Sequence, residues 1–217
     1  DSLIASVVGN RAAYTIEFTE RAGHATELAG AAIGTHDLVV GVGGDGTLNE
    51  VGRALVGTGV AMGIVPAGSG NALARALSIP LDLRDSVEQL LTGSRRCIDV
   101  GRLGEDVFLS TAGIGIDAEA CWRFSHSSSG RRGLFPYVHH TLSVLGHAPE
   151  PIRLYLDGRP DCLEVCSTML TFANTNQFGY AVEVAPGAIP DDGKLDVSVL
   201  EDMTLLRAAM HGYRLFT

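Results

Sequence analysis

The feature of this sequence most suited to chemistry is a carboxylate among glycines. In VVGVGGDGTLNEVGRAL, Asp45 stands between Gly43–Gly44 and Gly46, where the pattern otherwise predicts a strand followed by a helix. Glycines can take positive φ and leave backbone N–H groups uncovered, and a helix N-terminus favours a phosphate. A carboxylate beside a phosphate repels it unless a metal ion or a proton intervenes. We therefore expect Asp45 to hold Mg²⁺, to accept a proton from an attacking hydroxyl, or both.

The same residues are also typical of a tight turn before a capped helix. Thr47 can serve as the N-cap, and Glu50 then has the spacing of a capping box. Because the strand, the aspartate and the cap agree, we favour a phosphate site over a turn alone.

A second loop of the same kind follows the next predicted strand. In GIVPAGSGNALARAL, the chain turns at Pro66–Gly68 and a helix opens at Ser69–Asn71. Ser69 and Asn71 offer polar groups beside free amides, although they are also good turn formers. Loops after neighbouring parallel strands meet at one edge of a sheet, so the pair predicts a nucleotide cleft.

The surrounding pattern predicts the elements that position these loops. Helices are predicted over 3–8, 22–34, 47–56, 71–77 and 86–91, and strands over 14–18, 38–42 and 60–66. The apolar run LVVGV is typical of a strand buried on both faces. Alternating strands and helices indicate a parallel sheet covered by helices.

Beyond Gly93 the pattern becomes richer in strands. Strands are predicted over 97–103, 106–115, 151–158, 163–175 and 194–202, the first two joined by a turn at Gly104–Asp106, and helices over 117–124, 134–146 and 203–216. We place a boundary near residue 95, between an α/β nucleotide-binding domain (1–95) and a strand-rich domain (96–217).

Composition excludes several classes of protein. The chain of 217 residues is 46% hydrophobic and 19% charged, so it can bury a full core and is not disordered. Its net charge of -9 argues against a nucleic-acid binder. No apolar run reaches the roughly 18 residues of a membrane span and no leader opens the chain, so we expect a cytoplasmic protein. The cysteines, none in a CxxC pair, are interpreted as reduced, partly buried thiols.

GGDGTLNEV followed by GIVPAGSGNALARAL resembles the diacylglycerol kinase catalytic family, which includes bacterial lipid kinases, sphingosine kinases and ceramide kinases. Two later segments also match this family, FLSTAGIGID and VAPGAIPDDGKLDVSVL, so the resemblance covers nearly the whole chain. It implies a Rossmann-like α/β domain joined to a β-sandwich lipid-binding domain, with ATP and Mg²⁺ in the cleft. The implied reaction transfers the γ-phosphate of ATP to a lipid hydroxyl. A lipid at a membrane surface is then the partner, the enzyme is peripheral to the membrane, and a homodimer is one option.

The resemblance and the two glycine loops together give the expected site. ATP contacts are expected at Thr19, Gly43, Gly44, Asp45, Gly46, Thr47, Leu48, Asn49, Glu50, Gly68, Ser69 and Asn71. The resemblance also implies that Asp99 lies near the active site. It further implies a structural Mg²⁺ on the carboxylate of Asp192 and the carbonyls of Ile189 and Lys194, although Asp191–Gly193 equally suits a hairpin turn. Asp117 matches an aspartate that binds the lipid head group in sphingosine kinases, or it caps a helix.

The chain departs from the family pattern in three ways. It begins after the family's first strand and NPxSG loop, and nothing after Thr217 supplies the late glutamate proposed as general base. Ala72 replaces an aspartate that is frequent in bacterial diacylglycerol kinases. We therefore expect a fragment of a longer protein. The alternatives are an NAD kinase, which shares the GGDG loop, and a non-catalytic nucleotide- or lipid-binding module.

Overall fold

A computed structural model describes residues 2–115, 118, 119, 122, 149–179 and 182–201. The N-terminal part contains α1 (Ser2–Val8), α2 (His24–Ala31), β1 (Leu38–Gly43), α3 (Asp45–Leu55), β2 (Ala61–Pro66), α4 (Ala72–Ala76) and α5 (Leu83–Thr92). The strands that follow are β3 (Gly101–Leu103), β4 (Asp106–Phe108), β5 (Thr111–Gly115), β6 (Glu150–Leu154), β7 (Leu163–Ser167), β8 (Met169–Ala173) and β9 (Asp196–Leu200).

The two N-terminal strands form the predicted parallel pair, with Leu38 opposite Ala61 and Gly43 opposite Pro66. Helix α3 connects them. Its buried residues Leu48, Val51, Gly52 and Leu55 follow the spacing of one helix face, which packs against the sheet.

Helices cover both faces of this sheet. Ile64 and Val65 are neighbours on β2 but belong to different apolar clusters, because successive strand residues face opposite sides. Ile64 packs with Leu48 and with α4, whereas Val65 packs with Val87 of α5 and with α1. The predicted helix-covered parallel sheet is therefore confirmed.

The remaining strands are antiparallel. Strands β3 and β4 form the predicted hairpin, β6 pairs with β7, and β8 lies between β5 and β9. The segment predicted as a strand over 106–115 contains two strands, and so does 163–175, and in each case the two strands belong to different sheets. Cys97, Cys162 and Cys166 are free thiols, as predicted, but all three are exposed, so the expectation that they are partly buried is wrong.

One strand prediction and one burial prediction are wrong. Residues 13–20 form neither helix nor strand, and Phe18 is 70% exposed. The alternation of Tyr14, Ile16 and Phe18 is a local pattern, whereas a strand needs a hydrogen-bonded neighbour. Strand β1 is not buried on both faces, because α5 contacts β2 and leaves Val42 of β1 48% exposed.

The helices predicted over 134–146 and 203–216 lie outside the described residues, as does most of 117–124. In the part that is described, no helix combines the length and the apolar character needed to cross a membrane.

Candidate active site

The first glycine loop leaves a row of backbone donors unpaired. Gly44 follows β1 in an extended conformation, and α3 begins at Asp45. Leu48 is the first residue of the helix whose amide is paired, at 3.0 Å to the Gly44 carbonyl. Within the described residues the preceding amides of Asp45, Gly46 and Thr47 meet no acceptor. Such a helix start, at the carboxyl end of a parallel strand, suits an anion.

Two glycines of this loop stand where neighbouring atoms leave little room for a side chain. A Cβ on Gly43 would lie 2.7 Å from the Cβ of Thr47, and one on Gly44 would lie 3.1 Å from the Cα of Gly68. None of Gly43, Gly44 and Gly46 takes positive φ, although glycine permits it. Close packing, and not backbone conformation, accounts for the first two.

Gly46 differs from these two glycines. It is exposed in the first turn of α3, and a Cβ there would have nothing within 4 Å. A glycine within a helix costs about 1 kcal/mol relative to alanine. Packing within the described chain gives no reason for this cost, whereas a group that approaches the free amides would. The loop therefore fits a phosphate.

The second glycine loop lies directly against the first. A Cβ on Gly68 would lie 2.3 Å from the Cα of Gly44, so the two loops meet backbone to backbone. Asn71 holds this turn: its Oδ1 accepts from the Gly68 amide at 3.0 Å, and its Nδ2 donates to the Gly68 carbonyl at 2.9 Å. The structure thus brings the two predicted loops together. Ser69 is exposed beside them.

One oxygen of the Asp45 carboxylate takes part in the fold, and the other is open to a ligand. Its Oδ1 accepts a hydrogen bond from the Leu73 amide at 3.1 Å. Leu73 is the second residue of α4, whose N-cap Asn71 provides no side-chain cap. The Oδ2 atom has no hydrogen-bond partner among the described residues, and a Cβ on Gly70 would lie 3.4 Å from it. One oxygen positions the carboxylate and the other remains able to accept a proton.

Three further residues that were expected to contact ATP have their side chains committed to the fold. Glu50 Oε2 accepts from the Ala25 amide at 3.2 Å, at the second residue of α2. Asn49 donates to the Val107 carbonyl and accepts from the Leu109 amide, both at 3.1 Å. The side chain of Leu48 is fully buried in the core.

The predicted capping box is wrong. Thr47 lies inside the first turn of α3, because the helix begins two residues earlier with Gly44 as its N-cap. Its side chain instead covers Gly43. Thr19 is exposed, and no hydrogen bond joins it to either glycine loop.

Asp99 organises the loop that carries the predicted metal site. Its Oδ2 accepts from the Gly193 amide, and its own amide donates to the Pro190 carbonyl, both at 2.7 Å. The guanidinium of Arg96 contacts both oxygens of Asp191, at 2.8 and 2.6 Å, and this hydrogen bonding lowers the pKa of Asp191.

Asp192 forms a small turn of its own. Its Oδ1 accepts from the Lys194 amide at 3.0 Å, and the Lys194 ammonium lies 4.0 Å from Oδ2. No cluster of three or more His, Cys, Asp or Glu side chains suited to a metal occurs in the described residues. One carboxylate with main-chain carbonyls, including that of Ile189, remains the predicted donor set for Mg²⁺.

A groove of about 380 Å³ lies beside this loop. It is lined by Ile98, Asp99, Val100, Gly193, Lys194 and Leu195. Asp99 therefore faces both a polar turn and a surface groove. Asp117, the residue matched to a head-group site, lies outside the described residues.

Sequence reasoning missed a third loop at the site. It follows β8, is described at residues 177–179 and 182–183, and has an isolated antiparallel bridge between Gln177 and Glu183. Gly179 has a φ of +109°, and a Cβ there would lie 2.9 Å from the Cα of Gly70. The only feature of the sequence that could have indicated this loop is the single glycine at position 179, after Asn176, Gln177 and Phe178.

The segment that leads into this loop is polar and buried. Four of its side-chain atoms have no hydrogen-bond partner among the described residues: Thr171 Oγ1, Asn174 Oδ1, Thr175 Oγ1 and Gln177 Oε1. Asn174 Nδ2 donates to the carbonyls of Asp99 and Leu109, both at 2.8 Å. Buried polar atoms without a partner are few in folded proteins, so this segment is specialised.

Two family models match consecutive parts of the chain. Residues 3–103 match the diacylglycerol kinase catalytic domain, and residues 110–212 match the YegS C-terminal NAD kinase beta sandwich-like domain. The predicted architecture, an α/β part followed by a β-sandwich-like part, is confirmed. The boundary near residue 95 stays a prediction.

The relatives carry names of the same kind. The chain is 30% identical over 198 residues to a diacylglycerol kinase of Bacillus subtilis (strain 168), covering 86% of this chain and 65% of that protein. It is 31% identical over 208 residues to a protein of Pseudomonas savastanoi pv. phaseolicola (strain 1448A / Race 6) named "Probable lipid kinase YegS-like", covering 91% and 66%. The chain therefore spans less than two thirds of the length of these relatives.

Solved structures share the fold. A crystal structure of a diacylglycerol kinase from Bacillus anthracis str. Sterne matches with a TM-score of 0.67 and 21% identity, covering 90% of this chain and 65% of that one. A second crystal structure from the same strain matches with a TM-score of 0.75 and 21% identity, covering 99% and 72%.

Proposed function

Because residues 3–103 belong to the diacylglycerol kinase catalytic domain family and residues 110–212 to the YegS C-terminal domain family, we propose that the whole protein is a kinase that phosphorylates a lipid hydroxyl with ATP. The observation that carries this proposal is the uncovered start of α3. Because Gly46 has no side chain, the unpaired amides of Asp45, Gly46 and Thr47 stay open to a ligand. Backbone amides so placed bind phosphate groups.

The contacts to the nucleotide come mainly from the backbone. The side chains of Leu48, Asn49 and Glu50 are engaged in the fold, so these residues support the site and do not reach the phosphates. The amides of residues 45–47 and the exposed hydroxyl of Ser69 are the groups left to donate. When bound, ATP with Mg²⁺ supplies a phosphoryl group whose charge such donors stabilise.

Asp45 is the residue proposed to act on the acceptor. Its Oδ1 is held by the Leu73 amide, which fixes the direction of the carboxylate, and its Oδ2 is left to accept a proton from the lipid hydroxyl. A positioned carboxylate of this kind contributes about a hundredfold or more to a transfer rate. Mg²⁺ at Asp192 has a structural role in this proposal, since Asp99 and Arg96 tie the same loop to the chain near residue 96.

The acceptor is proposed to be a lipid presented at a membrane surface. The names of the relatives support a lipid and do not fix its head group, and Asp117 remains the candidate for head-group recognition. Diacylglycerol, a sphingoid base and a phospholipid are therefore all tested.

The experiment uses the full-length protein, radiolabelled ATP and mixed micelles. Diacylglycerol, sphingosine and phosphatidylglycerol are compared with NAD as acceptors in parallel reactions. We expect label in at least one lipid and none in NAD. Label in NAD alone would make the protein an NAD kinase, and ATP binding without transfer to any acceptor would make it a non-catalytic module.

A further inference from the structure

The third loop, described at residues 177–179 and 182–183, contacts the second glycine loop through its backbone at Gly179. A Cβ on Gly179 would lie 2.9 Å from the Cα, 3.1 Å from the carbonyl carbon and 3.2 Å from the oxygen of Gly70. Gly179 also has a φ of +109°, a conformation that side chains disfavour. Both the space and the conformation at this position require glycine.

Gly70 in turn lies between the third loop and Asp45. A Cβ on Gly70 would be 3.7 Å from the Cα of Gly179 and 3.4 Å from Asp45 Oδ2. The three residues are therefore stacked in the order Gly179, Gly70, Asp45. Gly179 belongs to the β-sandwich-like domain, whereas the other two belong to the catalytic domain. The stack crosses from one family domain to the other.

The third loop is built to hold its shape. The Phe178 amide donates to the Val182 carbonyl at 3.0 Å, and the Val182 amide donates to the Gly179 carbonyl at 2.9 Å. At its base, the Val184 amide donates to the Asn176 carbonyl at 2.9 Å. These bonds tie Phe178 and Gly179 to Val182 above a hydrogen-bonded base, so we expect a displacement at the base to displace Gly179 as well.

We propose that Gly179 is a positioning residue for Asp45. Its backbone supports Gly70 and keeps the second glycine loop where the Leu73 amide can hold the Asp45 carboxylate at 3.1 Å. Through this stack, a ligand that moves the third loop on the β-sandwich side moves the carboxylate. The consequence for turnover rests on the proposed kinase function, but the structural coupling does not.

The central test is amide hydrogen exchange at Leu73 in the full-length protein, measured by NMR. Gly179→Ala introduces the clash with Gly70. Gly158→Ala is the matched control, because Gly158 also has positive φ (+67°) but has nothing within 4 Å of a Cβ. We expect exchange at Leu73 to be about tenfold faster or more in Gly179→Ala and unchanged in Gly158→Ala, since local opening controls exchange. Equal exchange at Leu73 in all three proteins would overturn the proposal.

A second measurement needs no substitution. In the unmodified protein under low urea, the amides of Leu73 and Phe178 are expected to open together, with the same dependence on urea. Separate openings with different dependences would show that the third loop does not hold the second, and would equally overturn the proposal. This measurement decides the question even where Gly179→Ala fails to fold.

Turnover adds a readout specific to positioning. With a lipid acceptor, Gly179→Ala is expected to lower kcat by about tenfold or more while KM for ATP changes little, because the amides of residues 45–47 remain in place. A raised KM with an unchanged kcat would contradict positioning of Asp45. If the parent protein phosphorylates no lipid, the kinase proposal fails, and the exchange at Leu73 still decides the structural coupling.

Discussion

The Asp45 carboxylate caps the helix of the neighbouring glycine loop by accepting from the Leu73 amide at 3.1 Å. Glu50 makes the equivalent contact with Ala25 at 3.2 Å, again at the second residue of a helix. Neither α2 nor α4 has a side-chain cap of its own. Helix α3 therefore satisfies amides at the starts of two other helices with its own acidic residues.

Replacing Asp45 should separate its structural role from its chemical role. Asp45→Asn keeps an oxygen that can accept from Leu73, so its melting temperature should stay near that of the parent. Asp45→Ala removes the cap and should cost about 1 kcal/mol of folding free energy. Both should lower lipid phosphorylation by about a hundredfold or more. Thermal unfolding and the transfer assay measure these effects, and near-parental turnover by Asp45→Asn would refute the catalytic role.

Gly46→Ala should weaken ATP binding without weakening the fold. A Cβ there has open space and points toward the helix N-terminus, where it would obstruct the free amides. Gly30→Ala in α2 is the control, because that glycine also has open space but lies in another helix. Each change should stabilise its helix by up to about 1 kcal/mol. Calorimetry should show affinity for ATP reduced about tenfold or more only by Gly46→Ala, and equal affinities would disprove the phosphate site.

Asp192→Ala should reduce the stabilisation of the protein by Mg²⁺. An ion that binds only the folded state raises the melting temperature, and Asp192 is the only carboxylate in the proposed donor set. Asp161→Ala, in the exposed turn between β6 and β7, serves as control. The Mg²⁺-dependent rise in melting temperature should shrink only in Asp192→Ala. An undiminished rise would leave Asp192 as an ordinary turn residue.

The pair of Arg96 and Asp191 should make stability depend on pH in the acidic range. Hydrogen bonding by Arg96 lowers the pKa of Asp191 below its ordinary value of 3.8. The carboxylate therefore contributes stability above that pH, and the contribution is lost as the pH falls through the lowered pKa. Melting temperatures measured from pH 5 downward should fall more steeply in the parent than in Arg96→Gln. Arg95→Gln should follow the parent, and parallel curves for all three would show that the pair has no effect.

The buried hydroxyl of Thr171 has no hydrogen-bond partner among the described residues, which should lower the stability of the fold. Thr171→Val removes a buried hydroxyl without a partner and should raise the unfolding free energy, by about 1 kcal/mol. Thr168→Val is the matched control, because the Thr168 hydroxyl donates to the Leu200 carbonyl at 3.0 Å and its loss should destabilise. Urea unfolding of both variants measures the difference. Equal destabilisation would reveal a partner for Thr171, such as a buried water.

The sequence was informative where the signal was local. Apolar spacing located β1, β2, α3 and α4, and the glycines that interrupt it located both loops. The alternation at Tyr14 and Phe18 failed, because no local pattern reports whether a strand has a neighbour.

The partners of the site residues could not be predicted for the same reason. Asp45 bonds a residue 28 positions away, and Asn49 bonds residues 58 and 60 positions away. Polar residues grouped in one motif indicate ligand contacts, because the sequence does not show the distant backbone groups that they bond. The role of Gly179 depends on its contact with Gly70, which no feature of the sequence around either residue discloses.

The side-chain amide of Asn49 makes the two hydrogen bonds that one residue of a neighbouring strand would make. The Val107 carbonyl lies in β4 and the Leu109 amide directly after it. Two groups so spaced are the pair that one residue of a parallel neighbour would bond with its own N–H and C=O. The amide of Asn49 supplies both groups from a helix. An exposed edge is where foreign chains add to a sheet and aggregation begins. Here Asn49 already bonds these two groups, so the residue that anchors the helix also makes this part of the edge less available to a foreign strand.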